Sequence, residues 1–260
     1  MTAAFARTET KLRLKKVRAA MRAVEDQAGD DAIHAARVAI RRLMACLRLF
    51  RPLLKKRSLA ETRARLREVM QLCGEIRNVD VVLRLLDTLG VPSDAAVRKR
   101  LKKLRSCAQA TLPEVVWEPD VRFRSVPPDF DLPLLRELAA KLCQAGSAAA
   151  AADADVQQIH QFRLQVKRLR YTSEILSAFY ADGLERWLTV LRELQGCLGL
   201  INDCATAHEL VRHPIEGLPA LEAERIQTFR KFWRQHFNVK QRAQWVKELQ
   251  QDGNLHTSPR

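Results

Sequence analysis

Glycine is scarce in this chain, 9 in 260 residues, and aromatic residues make up only 6%. Runs of β-branched residues are also rare, and a β-sandwich or barrel draws on all three, so those classes are set aside. No stretch of 18 apolar residues occurs, so no membrane-spanning helix is expected. The opening residues, MTAAFARTETKLRLKK, lack the apolar centre of a secretory signal. None of the cysteines, Cys46, Cys73, Cys107, Cys143, Cys197 and Cys204, forms a C-x-x-C pair. Most stand at apolar helical positions, which is the pattern of reduced thiols in a cytoplasmic protein rather than of a disulfide or zinc framework. A Gly-rich phosphate loop, a nucleophile elbow and paired carboxylates beside the basic motifs are all missing. His208, His213, His236 and His256 show no metal-ligand spacing. The expectation is a protein that is not an enzyme, with no cofactor and no metal.

What is present is helix-forming: Leu, Ala, Arg, Lys and Glu dominate. The hydrophobic share of 47% is enough for a substantial core. The net charge is +15, most of it in the first 120 residues. A chain this basic meets polyanions, whether nucleic acid, an anionic membrane or a phosphate polymer.

The stretch Ile33 to Phe50 organises the chain. Ile33, Ala36, Ile40, Leu43, Leu47 and Phe50 follow the three-four spacing of one helical stripe. One residue after most of them stands a histidine or a cation: His34, Arg37, Arg41 and Arg48. Ile159 to Tyr180 repeats the device. His160, Arg163 and Lys167 match His34, Arg37 and Arg41 at a constant offset of 126, and Arg168-Leu169 matches Arg42-Leu43. Asn78 and Asn202-Asp203 follow the two histidines at nearly equal distances, each just after a glycine-containing stretch. An internal duplication of a helical unit explains both matches, and two such units pack as paired antiparallel bundles.

Helices are expected over 8–27, over the His34 stretch with a cap at Asp30-Asp31, from Ser58 to Gly74, over 78–89, and from a Ser93 cap onward. Lys11, Lys15, Arg18 and Arg22 on the first helix, and Arg63, Arg67, Arg98, Lys102 and Arg105 on later ones, repeat the displacement by one residue, so four cationic flanks are candidates for one shared basic surface. Pro113, Pro119, Pro127, Pro128 and Pro133 are half of the 10 prolines. They mark 113–133 as a connector between a first helical repeat, 1–112, and a second, 134–250, with 251–260 as a tail. In the second repeat, helices are expected over the His160 stretch, over 184–198, after Asn202, and as one long region over 221–250. Asn78 and Asn202 read as helix caps, and Trp233, Trp245, Phe232 and Phe237 as core packing rather than a platform for bases.

With HAARVAIRRL, HQFRLQVKRLRY, LCGEIRNVD and LQGCLGLIND in this order and spacing, the chain from about residue 10 to 240 resembles the CHAD family, the conserved histidine α-helical domain. The resemblance implies an all-α fold: two pseudo-symmetric four-helix bundles forming one compact domain with a central basic groove or pore. It implies binding of inorganic polyphosphate and, in several members, association with polyphosphate granules. Carried over residue by residue, the binding positions are His34, Arg37, Arg41, Arg42, His160, Arg163, Lys167, Arg168 and Arg170, with Arg48 continuing the first stripe. Met44 stands where the second repeat has Arg170, Asn78 where the family usually has Asp, and Cys73 where it usually has Leu.

Polyphosphate offers charge without bases or apolar surface, and rows of cations about 5.4 Å apart along a helix suit it. His34 and His160 read either as donors to phosphate or as histidines tied to a neighbouring acceptor. Arg42 and Arg168 point off the main stripe and read equally as braces, and Glu174 as a partner for neighbouring cations. A general nucleic-acid-binding protein is the alternative function. Its weak point is the shortage of aromatics and of a recognition-helix motif.

Overall fold

Nine α-helices carry most of the described residues of this computed structural model, which are 3–26, 29–90, 95–115, 117, 119–124, 135–180 and 183–251. They are α1 (Ala3–Asp26), α2 (Asp30–Leu49), α3 (Lys56–Thr88), α4 (Ala95–Val115), α5 (Leu135–Ala149), α6 (Val156–Leu176), α7 (Gly183–Val211), α8 (Leu218–His236) and α9 (Val239–Gln251). Among the described residues there is no strand, only an isolated antiparallel bridge between Leu54 and Phe123. The fold is all-α. The chain divides into two units, one from Thr2–Phe130 with Glu209–His213, the other from Asp131–His208 with Pro214–Arg260.

The first unit is built on the expected stripes. Leu14, Val17 and Met21 of α1, Ile33, Ile40 and Leu43 of α2, Leu66, Val69 and Ile76 of α3, and Leu112 of α4 share one core. Burying each such side chain contributes about 1.5–3 kcal/mol, which seats α2 by its apolar face. Leu104 on α4, one turn from the buried Leu101 and Ala108, is 47% exposed.

In the second unit the core is aromatic. Trp233 stacks on Phe237 with ring centroids 4.2 Å apart, Phe162 meets Trp233 edge-on at 5.3 Å, and Trp187 packs on Trp245 at 5.3 Å. Gly146 of α5 makes room for this, because a Cβ there would stand 2.1 Å from the Trp233 ring. Trp233, Phe237 and Trp245 are buried, so they offer no platform for bases.

Several expected breaks are absent. α3 runs unbroken through Gly74 and Asn78, and α7 through Gly199 and Asn202. Both asparagines lie inside helices, so neither is a cap. A helical glycine costs only about 1 kcal/mol relative to alanine, and the buried row Cys73, Ile76, Val79 and Val82 carries α3 onward. Ser58 lies within α3 rather than ahead of it, and the cap of α2 is Gly29, with Asp30 and Asp31 in the first turn. The region expected as one helix to residue 250 is two, α8 and α9. Asn238 between them accepts from Gln241 N at 3.0 Å and starts α9.

Part of the proline-rich stretch 113–133 is described. Pro113 lies inside α4. Pro119 to Arg124 belong to the first unit: Pro119 O accepts from Arg18 Nη2 at 2.8 Å, and Asp120 O from the Thr62 hydroxyl at 2.7 Å. Pro127, Pro128, Pro133, Ser93 and the tail from 252 lie outside the described residues.

Candidate functional site

On α2 the apolar face is sunk in the first unit's core, and the flank carries the expected row. His34 and Arg48 are exposed; Arg37, Arg41 and Arg42 are half-buried. Arg37 crosses toward α3, where its Nη1 lies 3.3 Å from the position a Cβ on Gly74 would take. The glycine in LCGEIRN therefore leaves space for this guanidinium and does not mark a turn. Burial pushes the neighbouring Cys73 thiol up to about 11, with the Arg37 charge pulling the other way.

On α6 an N-terminal capping box fixes the start: Asp155 accepts from Gln158 N at 2.7 Å, and the Gln158 side chain accepts from Asp155 N at 3.0 Å. Ile159, Phe162, Val166 and Leu169 are buried, and His160, Arg163 and Lys167 stand half-buried beside them. His160 Nδ1 lies 3.1 Å from Asn202 Oδ1 on α7. The amide orientation follows from its other end, where Asn202 Nδ2 donates to Thr206 Oγ1 at 3.3 Å while the Thr206 hydroxyl donates to Asn202 O at 2.8 Å. Asn202 Oδ1 is then an acceptor, which places a proton on His160 Nδ1. Nε2 is the nitrogen left for a ligand, and it donates to an anion only when the ring is protonated. In the first unit the matching His34 and Asn78 are both exposed, so the two copies differ here. The near-equal spacing of histidine and asparagine in the two repeats was the signal for this pairing, hidden by reading asparagine as a cap.

Not every expected cation faces outward for a ligand. Arg170 donates to Gln195 Oε1 at 2.8 Å and to Glu174 Oε1 at 2.6 Å, and its guanidinium lies 4.3 Å from the Tyr171 ring centroid. Arg168 is exposed. Of the four cationic flanks in the first unit, α4 is largely spent on ion pairs. Arg98 meets Asp87 at 2.6 Å, and Arg105 binds Asp80 at 2.7 Å and also Asp30. The Asp80 hydrogen bond, and the charge of both acids, hold Arg105 above its usual range. Among the described residues no group of three or more His, Cys, Asp or Glu is placed to hold a metal ion.

The CHAD domain model matches residues 10–123 and 117–212, two successive copies spanning most of the chain. The chain belongs to the CHAD domain family. Two CHAD segments agree with the duplicated helical architecture, and the family is linked in general to polyphosphate binding. Two solved structures share the fold with this CHAD chain. PptA from Streptomyces chartreusis has 20% identity and a TM-score of 0.62, covering 90% of this chain and 98% of its own. The CHAD domain from the plant Ricinus communis has 20% identity and a TM-score of 0.58, covering 94% and 89%. No curated protein matches the CHAD chain. Among its described residues no helix is long and apolar enough to cross a membrane.

Proposed function

We propose that this chain binds inorganic polyphosphate through the cationic flanks of α2 and α6. His34, Arg37, Arg41, Arg42 and Arg48 form the first row. His160, Arg163, Lys167 and Arg168 form the second, with Arg170 bracing it through Glu174 and Gln195. The observation that carries the reading is the repeated row itself, set on two helices whose opposite faces are locked in packed cores. Cations fixed in this way lose little freedom on binding. Arginine grips two phosphate oxygens at once, lysine supplies a point charge, and protonated histidine adds a donor. No residue is needed to do chemistry, and the protein acts as a receptor. On this reading it collects on polyphosphate granules in the cytoplasm and takes up nucleic acid only weakly.

A competition titration near physiological salt tests this. Labelled long-chain polyphosphate, bound to the protein, is challenged with single-stranded RNA, duplex DNA and heparin at equal charge. Polyphosphate is expected to win by about a hundredfold, or about 2.7 kcal/mol. Equal competition by all three overturns the dedicated-receptor reading in favour of a general nucleic-acid or polyanion surface. Phosphate release from pure polyphosphate with magnesium or manganese would overturn the assignment of a non-catalytic role.

A further inference from the structure

The basic loop Lys55-Lys56-Arg57 takes no part in either cationic row, yet it borders a cleft of about 670 Å³ in the first unit. We propose that this cleft is a second anion site, one that takes a small phosphorylated ligand. The two sides of the cleft come from distant parts of the chain, the start of α3 and the returning residues Trp117, Asp120 and Arg122, and hydrogen bonds lock them together. Lys55 N donates to Arg122 O at 2.8 Å, Arg124 N to Leu53 O at 2.9 Å, and Arg122 N to the Ser58 hydroxyl at 3.1 Å. Lys55, Arg57, Arg65 and Arg122 line it, against the carboxylates of Glu61 and Asp120. The volume is that of a site for a small molecule.

The sequence here opposes the stability of its own helix. α3 is 33 residues long, begins at Lys56, has no acid in its first turn and gains no side-chain cap from Lys55. The amino end of a helix carries partial positive charge and is stabilised by anions. Three consecutive cations at that end repel it, whereas α2 has Asp30 and Asp31 at the same place. A phosphate bound in the cleft would supply negative charge beside this end. Among the described residues the acid paired with this basic run holds it weakly: Arg57 and Glu61 pair at 2.9 Å with their side chains 93% and 62% exposed. Such a pair yields readily to a phosphate. Arg65 is held with its guanidinium 5.4 Å from the Trp117 ring centroid, which steadies it while leaving its edge for oxygen atoms.

Trp117 is half-buried at this cleft, and the other three tryptophans, all in the second unit, are 1–4% exposed. Its fluorescence is therefore a native reporter. The full-length protein is titrated with tripolyphosphate and with ATP at about 0.1 M salt, with calorimetry alongside. A saturable change is expected for both. It should weaken tenfold or more in Lys55→Glu/Arg122→Glu, and in the milder Lys55→Gln/Arg122→Gln should the first fold poorly. It should persist in Arg37→Glu/Arg41→Glu, whose loss of long-chain polyphosphate binding tests the first proposal separately. Equal affinity for the two ligands identifies the phosphate chain alone as what is recognised; tighter ATP binding adds stacking of a base. The proposal is overturned by no saturable binding, by unchanged affinity in folded Lys55/Arg122 variants, or by equal loss in both pairs.

Discussion

His160 gains its meaning from Asn202. The asparagine fixes which ring nitrogen holds a proton in the neutral form, and so leaves Nε2 as the nitrogen that the proposed phosphate contact would use. Asn202→Leu should weaken polyphosphate binding by about threefold to tenfold, the worth of one hydrogen bond of about 0.5–1.5 kcal/mol. Affinity measured by titration at fixed pH checks this, and circular dichroism confirms that the variant folds. Gly146 makes a different demand. Any side chain there meets the Trp233 ring, so Gly146→Ala should cost about 1–3 kcal/mol through overpacking, read as a lower urea midpoint. At Gly74 the neighbour is the end of an arginine, which swings aside, so Gly74→Ala should displace Arg37 with a smaller loss of stability.

At the scale of the helix, the two rows are separable. Charge reversal at Arg37 and Arg41, or at Arg163 and Lys167, is expected to abolish polyphosphate binding while circular dichroism stays native. Unchanged affinity in the folded variants would refute the assignment. The apolar stripes of α1, α2 and α6 were legible in the sequence because helical periodicity and burial are the same fact seen twice. Breaks were less legible. Gly74 and Gly199 look like punctuation, but a glycine costs too little to stop a helix whose next turns are buried. The real break at Phe237-Asn238 carries no glycine or proline. The fate of individual cations was least legible, since Arg98 and Arg105 find their acids only in the folded chain, whereas Glu174 stands one turn from Arg170 in the sequence itself. The stripe showed which face they lie on without showing what waits there.

For the whole molecule, the charge of +15 should make polyphosphate binding fall steeply with salt, as counterions released from the polymer contribute less. The cysteines impose an alkaline limit. Burial pushes the Cys46 thiol from the ordinary 9.0 up to about 12, and the Cys73 thiol to about 11. Above 9.0 the unfolded chain loses these protons and the native state keeps them, so unfolding is favoured as pH rises. Their contribution is fully present below 9.0 and is lost as pH climbs toward 11 and 12. Denaturant midpoints measured at about pH 7, 9 and 10.5 should decline in that order, and replacing Cys46 and Cys73 with alanine and valine should lessen the decline.

The first unit is not contiguous in sequence. It includes Glu209–His213, and Arg100 donates to Val211 O at 3.1 Å and to Leu210 O. During synthesis, α1 to α4 leave the ribosome long before those carbonyls exist. The early bundle must wait through α5, α6 and nearly all of α7 with Arg100 bonded only to water, and gains these contacts only when the end of α7 emerges. A fragment ending at residue 130 should therefore be a captured nascent state, more open to proteases near Arg100 than the same residues in the finished chain.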